Sequence, residues 1–269
     1  MPVFGKRRAY GQHYLKDSRV IDKIVGATLE FAQKNDSKTI LEIGPGRGAL
    51  TLPLVQRLGA DQKLLIAERD AGLVTHWREV ALPKTELFEG DFLDLPESLW
   101  LRPNLTVVSN LPYSAGTAIF TRLAAHPKQV SSLTLMFQQE VAFRLRAEQQ
   151  TKSWGSLSIW TQNQWEIQKL ISVSPQAFMP PPDVDSEVVT LIPREIPYVD
   201  TSPDPEGWNQ LLKTFFAHRR KMIRSGIPKT GVFRTAFETS GIDGTKRSEA
   251  LDWAEWKKLY QAFLVAKEG

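Results

Sequence analysis

Apolar residues gather into short runs over the first two thirds of the chain and into a helical stripe near its end. Thr39-Ile40-Leu41-Glu42-Ile43, Lys63-Leu64-Leu65-Ile66-Ala67, Leu105-Thr106-Val107-Val108-Ser109 and Val188-Val189-Thr190-Leu191-Ile192 read as strands. Glu86-Leu87-Phe88-Glu89-Gly90-Asp91-Phe92 reads as a further strand, with Asp91 at its end. Ala49-Leu50-Thr51-Leu52-Pro53-Leu54 opens a helix. Beyond Pro193 come Pro197, Pro203 and Pro205, and from there the periodicity is helical. Trp253, Trp256, Tyr260 and Phe263 recur at helical spacing behind Asp252, an N-cap with Glu255 three residues on. That stripe reads as core. The pattern predicts an α/β domain over residues 1–193, a linker over 194–205 and a small all-helical domain over 206–269.

Composition narrows the class. At 269 residues the chain is long enough for one main domain and a small one. It has no cysteine, which excludes disulfides, thiolate nucleophiles and Cys-ligated zinc. No apolar run approaches the roughly 18 residues that span a bilayer, and no apolar core follows Lys6-Arg7-Arg8 as in a secretory signal. A cytoplasmic protein is expected. The net charge of +4 leans mildly toward polyanionic partners.

The chemistry-bearing residues stand where strands end. Gly44-Pro45-Gly46-Arg47-Gly48 follows the first strand, and glycines let a backbone approach a ligand closely. Glu68 ends the second strand, where an acid can bind both hydroxyls of a ribose. Asp91 can accept from an adenine amino group. Gly44, Gly46 and Ala49 also fit the dinucleotide fingerprint, so an NAD-dependent oxidoreductase is the alternative. Against it, Asp91 suits a single nucleoside, and none of the four histidines stands at a strand end in the first half of the sheet.

Asn110-Leu111-Pro112-Tyr113 follows the strand that starts at Leu105. Ring conjugation makes an exocyclic amine a poor nucleophile. An Asn carbonyl and a nearby backbone carbonyl can accept its two N–H groups and localise the lone pair on nitrogen. Tyr113 offers a face for stacking a base. A plain strand-to-loop turn with a buried tyrosine fits the tetrapeptide as well.

Further segments join these in order. They are Gly11-Gln12-His13-Tyr14-Leu15, Glu42-Ile43-Gly44-Pro45-Gly46, Gln139-Glu140-Val141, Gly155-Ser156-Leu157-Ser158, Phe178-Met179-Pro180-Pro181-Pro182 with Val184-Asp185-Ser186, and Phe216 with Arg219-Arg220-Lys221. Together they resemble the ribosomal RNA adenine dimethyltransferases, most closely the bacterial small-subunit type. The resemblance implies a Rossmann-like class I methyltransferase core, S-adenosylmethionine as methyl donor, and dimethylation of two adjacent adenosines near the 3′ end of small-subunit rRNA. It places His13 and Leu15 at the methionine end of the cofactor, with Gly44 and Gly46 in the loop beside it. Glu68 falls at the ribose, Asp91 and Phe92 at the adenine, and Asn110 between cofactor and target amine. Phe178 would lie across the target base from Tyr113, with Leu111 and Pro112 completing the catalytic motif. Three positions depart from the family pattern: His13 in place of Asn, Ser114-Ala115-Gly116-Thr117 in place of Asn-Ile-Ser-Thr, and Arg224-Ser225-Gly226 where Asn usually follows the Arg.

Arg219, Arg220, Lys221 and Arg224 are expected on neighbouring turns of one helix, and beside an RNA-modifying core they read as phosphate contacts. Lys6, Arg7 and Arg8 read the same way, against the plainer reading of a solvated tail. No metal is required. The expected partner is small-subunit rRNA in an immature ribosomal subunit, met by a monomer and by no membrane. The large-subunit erythromycin-resistance methyltransferases share similar motifs, but Phe215 to Lys221 and Lys246-Arg247-Ser248-Glu249-Ala250-Leu251 resemble the small-subunit enzymes. A non-catalytic RNA-binding assembly factor is the remaining alternative.

Overall fold

The computed structural model describes residues 13–268. They form two compact units: one runs to Ala142 and resumes over Glu166–Pro193, the other comprises Phe143–Trp165 and the chain from Arg194 onward.

In the first unit, β1 (Tyr14–Leu15) leads into α1 (Ser18–Lys34), capped by the Asp17 carboxylate, which accepts from Arg19 N and Val20 N. β2 (Thr39–Ile43), α2 (Thr51–Arg57), β3 (Lys63–Glu68), α3 (Ala71–Val80), β4 (Thr85–Glu89), α4 (Glu97–Trp100), β5 (Leu105–Asn110), α5 (Gly116–Ala124) and β6 (Val130–Gln138) follow in alternation. α6 (Gln139–Leu145) leads into the second unit, and β7 (Trp165–Val173), β8 (Phe178–Met179) and β9 (Ser186–Pro193) complete the strands. The main sheet has the order β4-β3-β2-β5-β6-β9-β7. The first five strands in that order are parallel, and β9 runs antiparallel to β6. Every residue of β2 is buried, as a central parallel strand covered on both faces requires. β4 lies at the sheet edge, and its exposed acidic residues Glu86 and Glu89 suit that place.

The strand expected to reach Phe92 ends at Glu89. Gly90 turns the chain at φ 131°, so Asp91 and Phe92 lie in the turn that follows the strand.

The second unit is built from α7 (Ser156–Gln164), α8 (Pro205–Phe216), α9 (Ile223–Gly226), α10 (Val232–Ser240) and α11 (Trp253–Glu268). Trp208, Leu211, Phe215, Leu251, Trp256, Tyr260 and Phe263 share one core with Trp154 and Ile159. The helical part therefore draws in residues 143–165, which the sequence pattern assigns to the α/β domain. The expected linker is also packed. Val199 is buried in this core, and its backbone exchanges hydrogen bonds with the buried Asn163 carboxamide at 2.9 and 2.7 Å. Tertiary contacts thus fix its path. At the start of α11, Asp252 and Glu255 form the reciprocal cap that their spacing predicts, at 2.8 and 3.0 Å.

Candidate active site

The order of parallel strands reverses between β2 and β5, because β3 and β4 lie on one side of β2 and β5 and β6 on the other. Ligands bind outside the carboxyl ends of strands at such a switch point. Here the pairs Ile40↔Thr106, Leu41↔Val107 and Glu42↔Val108 bring the residues after β2 beside the end of β5. Ser109 Oγ donates to the Ile43 carbonyl at 2.6 Å and ties the two ends together. A cavity of about 570 Å³ opens above them.

Gly44 takes φ 67°, a left-handed conformation that an L side chain resists. Gly48, at φ 88°, lies so close to Trp77 that a Cβ would stand 2.8 Å from the indole. Trp77 Nε1 donates to the Gly46 carbonyl at 3.2 Å, and Gly46 N donates to Glu68 Oε2 at 3.3 Å. The loop is thus pinned from both sides, with Gly44 and Gly46 lining the cavity.

Glu68 is the last residue of β3. Its Oε1 accepts from Arg69 N and Asp70 N, both at 2.9 Å. Burial raises its pKa, against the lowering effect of these backbone bonds. Asp91 accepts from Leu93 N at 3.0 Å and from Arg69 Nη1 at 3.2 Å. Both carboxylates and Phe92 line the cavity.

Asn110, the last residue of β5, and Leu111, Pro112 and Tyr113 line its other end with His13 and Leu15. Asn110 Nδ2 donates to the His13 carbonyl at 3.4 Å. The His13 imidazole donates from Nδ1 to the Pro180 carbonyl at 2.8 Å and stacks 5.8 Å from the Tyr113 ring. Tyr113 Oη and Ser186 Oγ are 2.7 Å apart. Burial raises the phenol pKa, opposed by the serine bond.

Phe178, expected across the target base from Tyr113, is not among the residues that line the cavity. It is 1% exposed and packs in the core of the first unit. In the ladder of β1 with β8, Leu15 pairs with Phe178 and Tyr14 with Met179. Phe178 is buried beside Leu15 in that core, and Met179, 58% exposed, lines the cavity.

Sequence reasoning missed Glu42, which also lines the cavity and is 2% exposed with Oε2 lacking a hydrogen-bond partner. Burial pushes its pKa up to about 8; the Thr51 side chain opposes the shift and the Glu68 charge adds to it. A carboxylate side chain inside an otherwise apolar strand was the signal. It also missed Arg47, whose guanidinium lies 4.3 Å over the Tyr14 ring at the glycine loop.

Of the expected RNA contacts, Lys6, Arg7 and Arg8 lie outside the described residues. Arg219, Arg220 and Lys221 do not share a helix: α8 ends at Phe216 and α9 starts at Ile223, so they occupy the turn between. Arg219 is bound inward, 2.7 Å from Glu249 and 3.3 Å from the Thr151 carbonyl. Arg220, Lys221 and Arg224 are exposed. Among the described residues no cluster of three or more His, Asp and Glu could hold a metal ion. No helix among them is long and apolar enough to cross a membrane.

A sequence model of the family described as ribosomal RNA adenine dimethylase matches residues 3–264. A ribosomal RNA small subunit methyltransferase A from Alcanivorax borkumensis is 38% identical over 257 residues, covering 94% of this chain and 88% of its own. A dimethyladenosine transferase structure from Plasmodium falciparum superposes with TM-score 0.75 at 24% identity, over 95% of this chain and 98% of that one. The 23S rRNA methyltransferase ErmE superposes with TM-score 0.66 at 23% identity, over 93% and 99%. These two likenesses establish the Rossmann-like methyltransferase fold. The match of the family model along nearly the whole chain, together with the 38% identical relative, goes further: this chain belongs to the ribosomal RNA adenine dimethylase family.

Proposed function

We propose that this protein transfers methyl groups from S-adenosylmethionine to N6 of two adjacent adenosines near the 3′ end of small-subunit rRNA. The substrate is an immature ribosomal subunit in the cytoplasm, and the enzyme acts on it as a monomer. One observation carries the reading. A single cavity at the switch point joins two acids suited to a nucleoside, Glu68 and Asp91, to the Asn110-Leu111-Pro112-Tyr113 corner. Family membership sets aside the dinucleotide alternative. The name of the 38% identical relative favours the small subunit over the large one.

The residues present fit the cofactor. Glu68 lies where it can accept from ribose hydroxyls and Asp91 where it can accept from the adenine amine. Gly44 and Gly46 leave backbone, without side chain, beside the methionine portion, with His13 and Leu15 at its end. When bound, the cofactor supplies a sulfonium-borne methyl group that is electrophilic as it stands. The chain's own work is therefore positional. The Asn110 carboxamide oxygen accepts one N–H of the target amine and a motif backbone carbonyl the other, turning the nitrogen lone pair out of ring conjugation. The Pro112 carbonyl already accepts from Ala115 N at 3.1 Å, which fixes its direction. Tyr113, braced by Ser186 and His13, offers its face to the base, which must leave any stack to enter. The methylated nitrogen becomes cationic and acidifies its own N–H, so no strong general base is needed. Arg220, Lys221 and Arg224 supply phosphate contacts.

The test is transfer of tritiated methyl groups to immature small subunits, large subunits and free rRNA, followed by mapping of the product. Dimethyladenosine in adjacent positions of small-subunit rRNA is expected. Label confined to large subunits would favour the erythromycin-resistance reading. Binding without transfer to any of them would favour a non-catalytic assembly factor.

A further inference from the structure

Arg122, on α5, reaches the back of the turn that carries Asp91 and Phe92. It donates from Nη1 to the Phe92 carbonyl and from Nη2 to the Leu95 carbonyl. Its guanidinium carbon lies 5.2 Å from the centroid of the Phe92 ring and 5.5 Å from that of Trp100. The two rings are themselves 4.9 Å apart. Trp100 is fully buried and Phe92 nearly so.

The turn needs such a support. It follows the edge strand β4 and has few bonds of its own: Asp94 N to the Asp91 carbonyl at 2.9 Å and Leu93 N to Asp91 Oδ1 at 3.0 Å. Arg69 holds Asp91 from the cavity side, and Arg122 holds the carbonyls behind it. A planar fork with two parallel donors can span two carbonyls and lie against aromatic rings at once; an ammonium on a flexible stem cannot.

We propose that Arg122 is a positioning residue for adenine recognition: by bridging the Phe92 and Leu95 carbonyls it holds the Asp91 carboxylate and the Phe92 ring where the adenine of the cofactor meets them. This rests on reading the cavity as the S-adenosylmethionine site. Arg122 touches no reacting atom. Its effect appears as discrimination at the 6-position of the purine, which a general loss of stability does not alter.

The experiment measures calorimetric affinities of the full chain for S-adenosylhomocysteine and for its inosine counterpart, which carries a 6-oxo group in place of the amine. The wild type is expected to prefer the adenine ligand by about tenfold or more, the worth of a hydrogen bond to a charged acceptor. Arg122→Ala is expected to weaken the adenine ligand by about tenfold and the inosine ligand by no more than about twofold, so that the preference collapses. Arg122→Lys keeps the charge and much of the packing, loses the fork, and is expected to lose the preference too. It answers the question where the alanine variant does not fold. A preference retained in the variants, or equal weakening of both ligands, overturns the proposal. So does a wild type that binds both ligands equally, and that outcome leaves the cofactor assignment standing. A wild type that binds neither ligand overturns the cofactor assignment itself.

Discussion

Asn110 donates its side-chain N–H to the backbone carbonyl of His13 across 3.4 Å. The bond joins the end of β5 to the residue preceding β1, and it turns the carboxamide so that its oxygen is the atom left to accept from a target amine. Asn110→Ala should therefore fold and bind cofactor nearly normally. It should lose on the order of 10²–10³ in single-turnover methyl transfer, as when one preorganised partner of a transition state is removed. Near-normal single-turnover rates at saturating cofactor and substrate would place the reaction centre elsewhere.

Phe178 and Tyr113 should separate cleanly. Phe178 is 1% exposed in the core, so Phe178→Ala should lower stability by about 3–5 kcal/mol, the usual effect of truncating a buried aromatic. Tyr113 is only partly buried, and Tyr113→Ala should chiefly weaken substrate binding, by about 1–3 kcal/mol of stacking. Denaturant titration and particle-binding assays on both variants check this. A Phe178→Ala protein of wild-type stability that binds RNA poorly would place Phe178 at the base pocket.

The basic turn after α8 holds two kinds of charge. Arg219 is engaged with Glu249, and both side chains are partly exposed, so Arg219→Ala should cost no more than about 1 kcal/mol of stability. Arg220, Lys221 and Arg224 are exposed. Their triple alanine variant should keep its stability and its cofactor affinity while binding small subunits with a shallower salt dependence. Each lost phosphate contact removes about 0.7–0.9 from the log–log slope. An unchanged slope would mean that these charges only face solvent.

What the sequence discloses follows from how local each signal is. The ends of β2, β3 and β5 are legible because central parallel strands are continuous apolar runs that stop at their functional residue. Asp91 is legible as a residue but not in its place, because β4 is an edge strand with only two apolar residues, Leu87 and Phe88, and no pattern that marks its end. The placement of Phe178 depends on a two-residue ladder with Tyr14 and Leu15, more than 160 positions away, and no local period encodes that pairing. The packing of residues 194–205 depends likewise on Asn163, which captures Val199 from a separate segment. The end of α8 at Phe216 lacks a nearby glycine or proline, so the charge run Arg219-Arg220-Lys221 reads as more helix. Glu42 was legible and unread: a lone acid in a buried strand always requires an explanation.

That acid has a consequence for stability. Burial pushes the Glu42 pKa up from its ordinary value of 4.5 to about 8. Below about pH 4.5 the carboxyl is protonated in both the folded and the unfolded chain and favours neither. Between the two values the unfolded chain releases the proton while the folded protein keeps it. The folded state then binds more protons, and stability falls as pH rises, by up to about 1.4 kcal/mol per pH unit. Above about pH 8 the loss is complete. Glu68, whose pKa burial also raises, acts in the same direction. Asp17, Asp61, Asp204 and Asp243, whose values are lowered, act only at more acid pH, so they leave this window flat. Glu42→Gln keeps the shape of the side chain and removes its titration. The variant should therefore gain on the wild type steadily from pH 5 to pH 8.5, by an amount on the order of a few kcal/mol. Denaturant midpoints across that range measure the difference. A constant difference would mean that Glu42 is already ionised in the fold at pH 5, held by a partner that stabilises its charge.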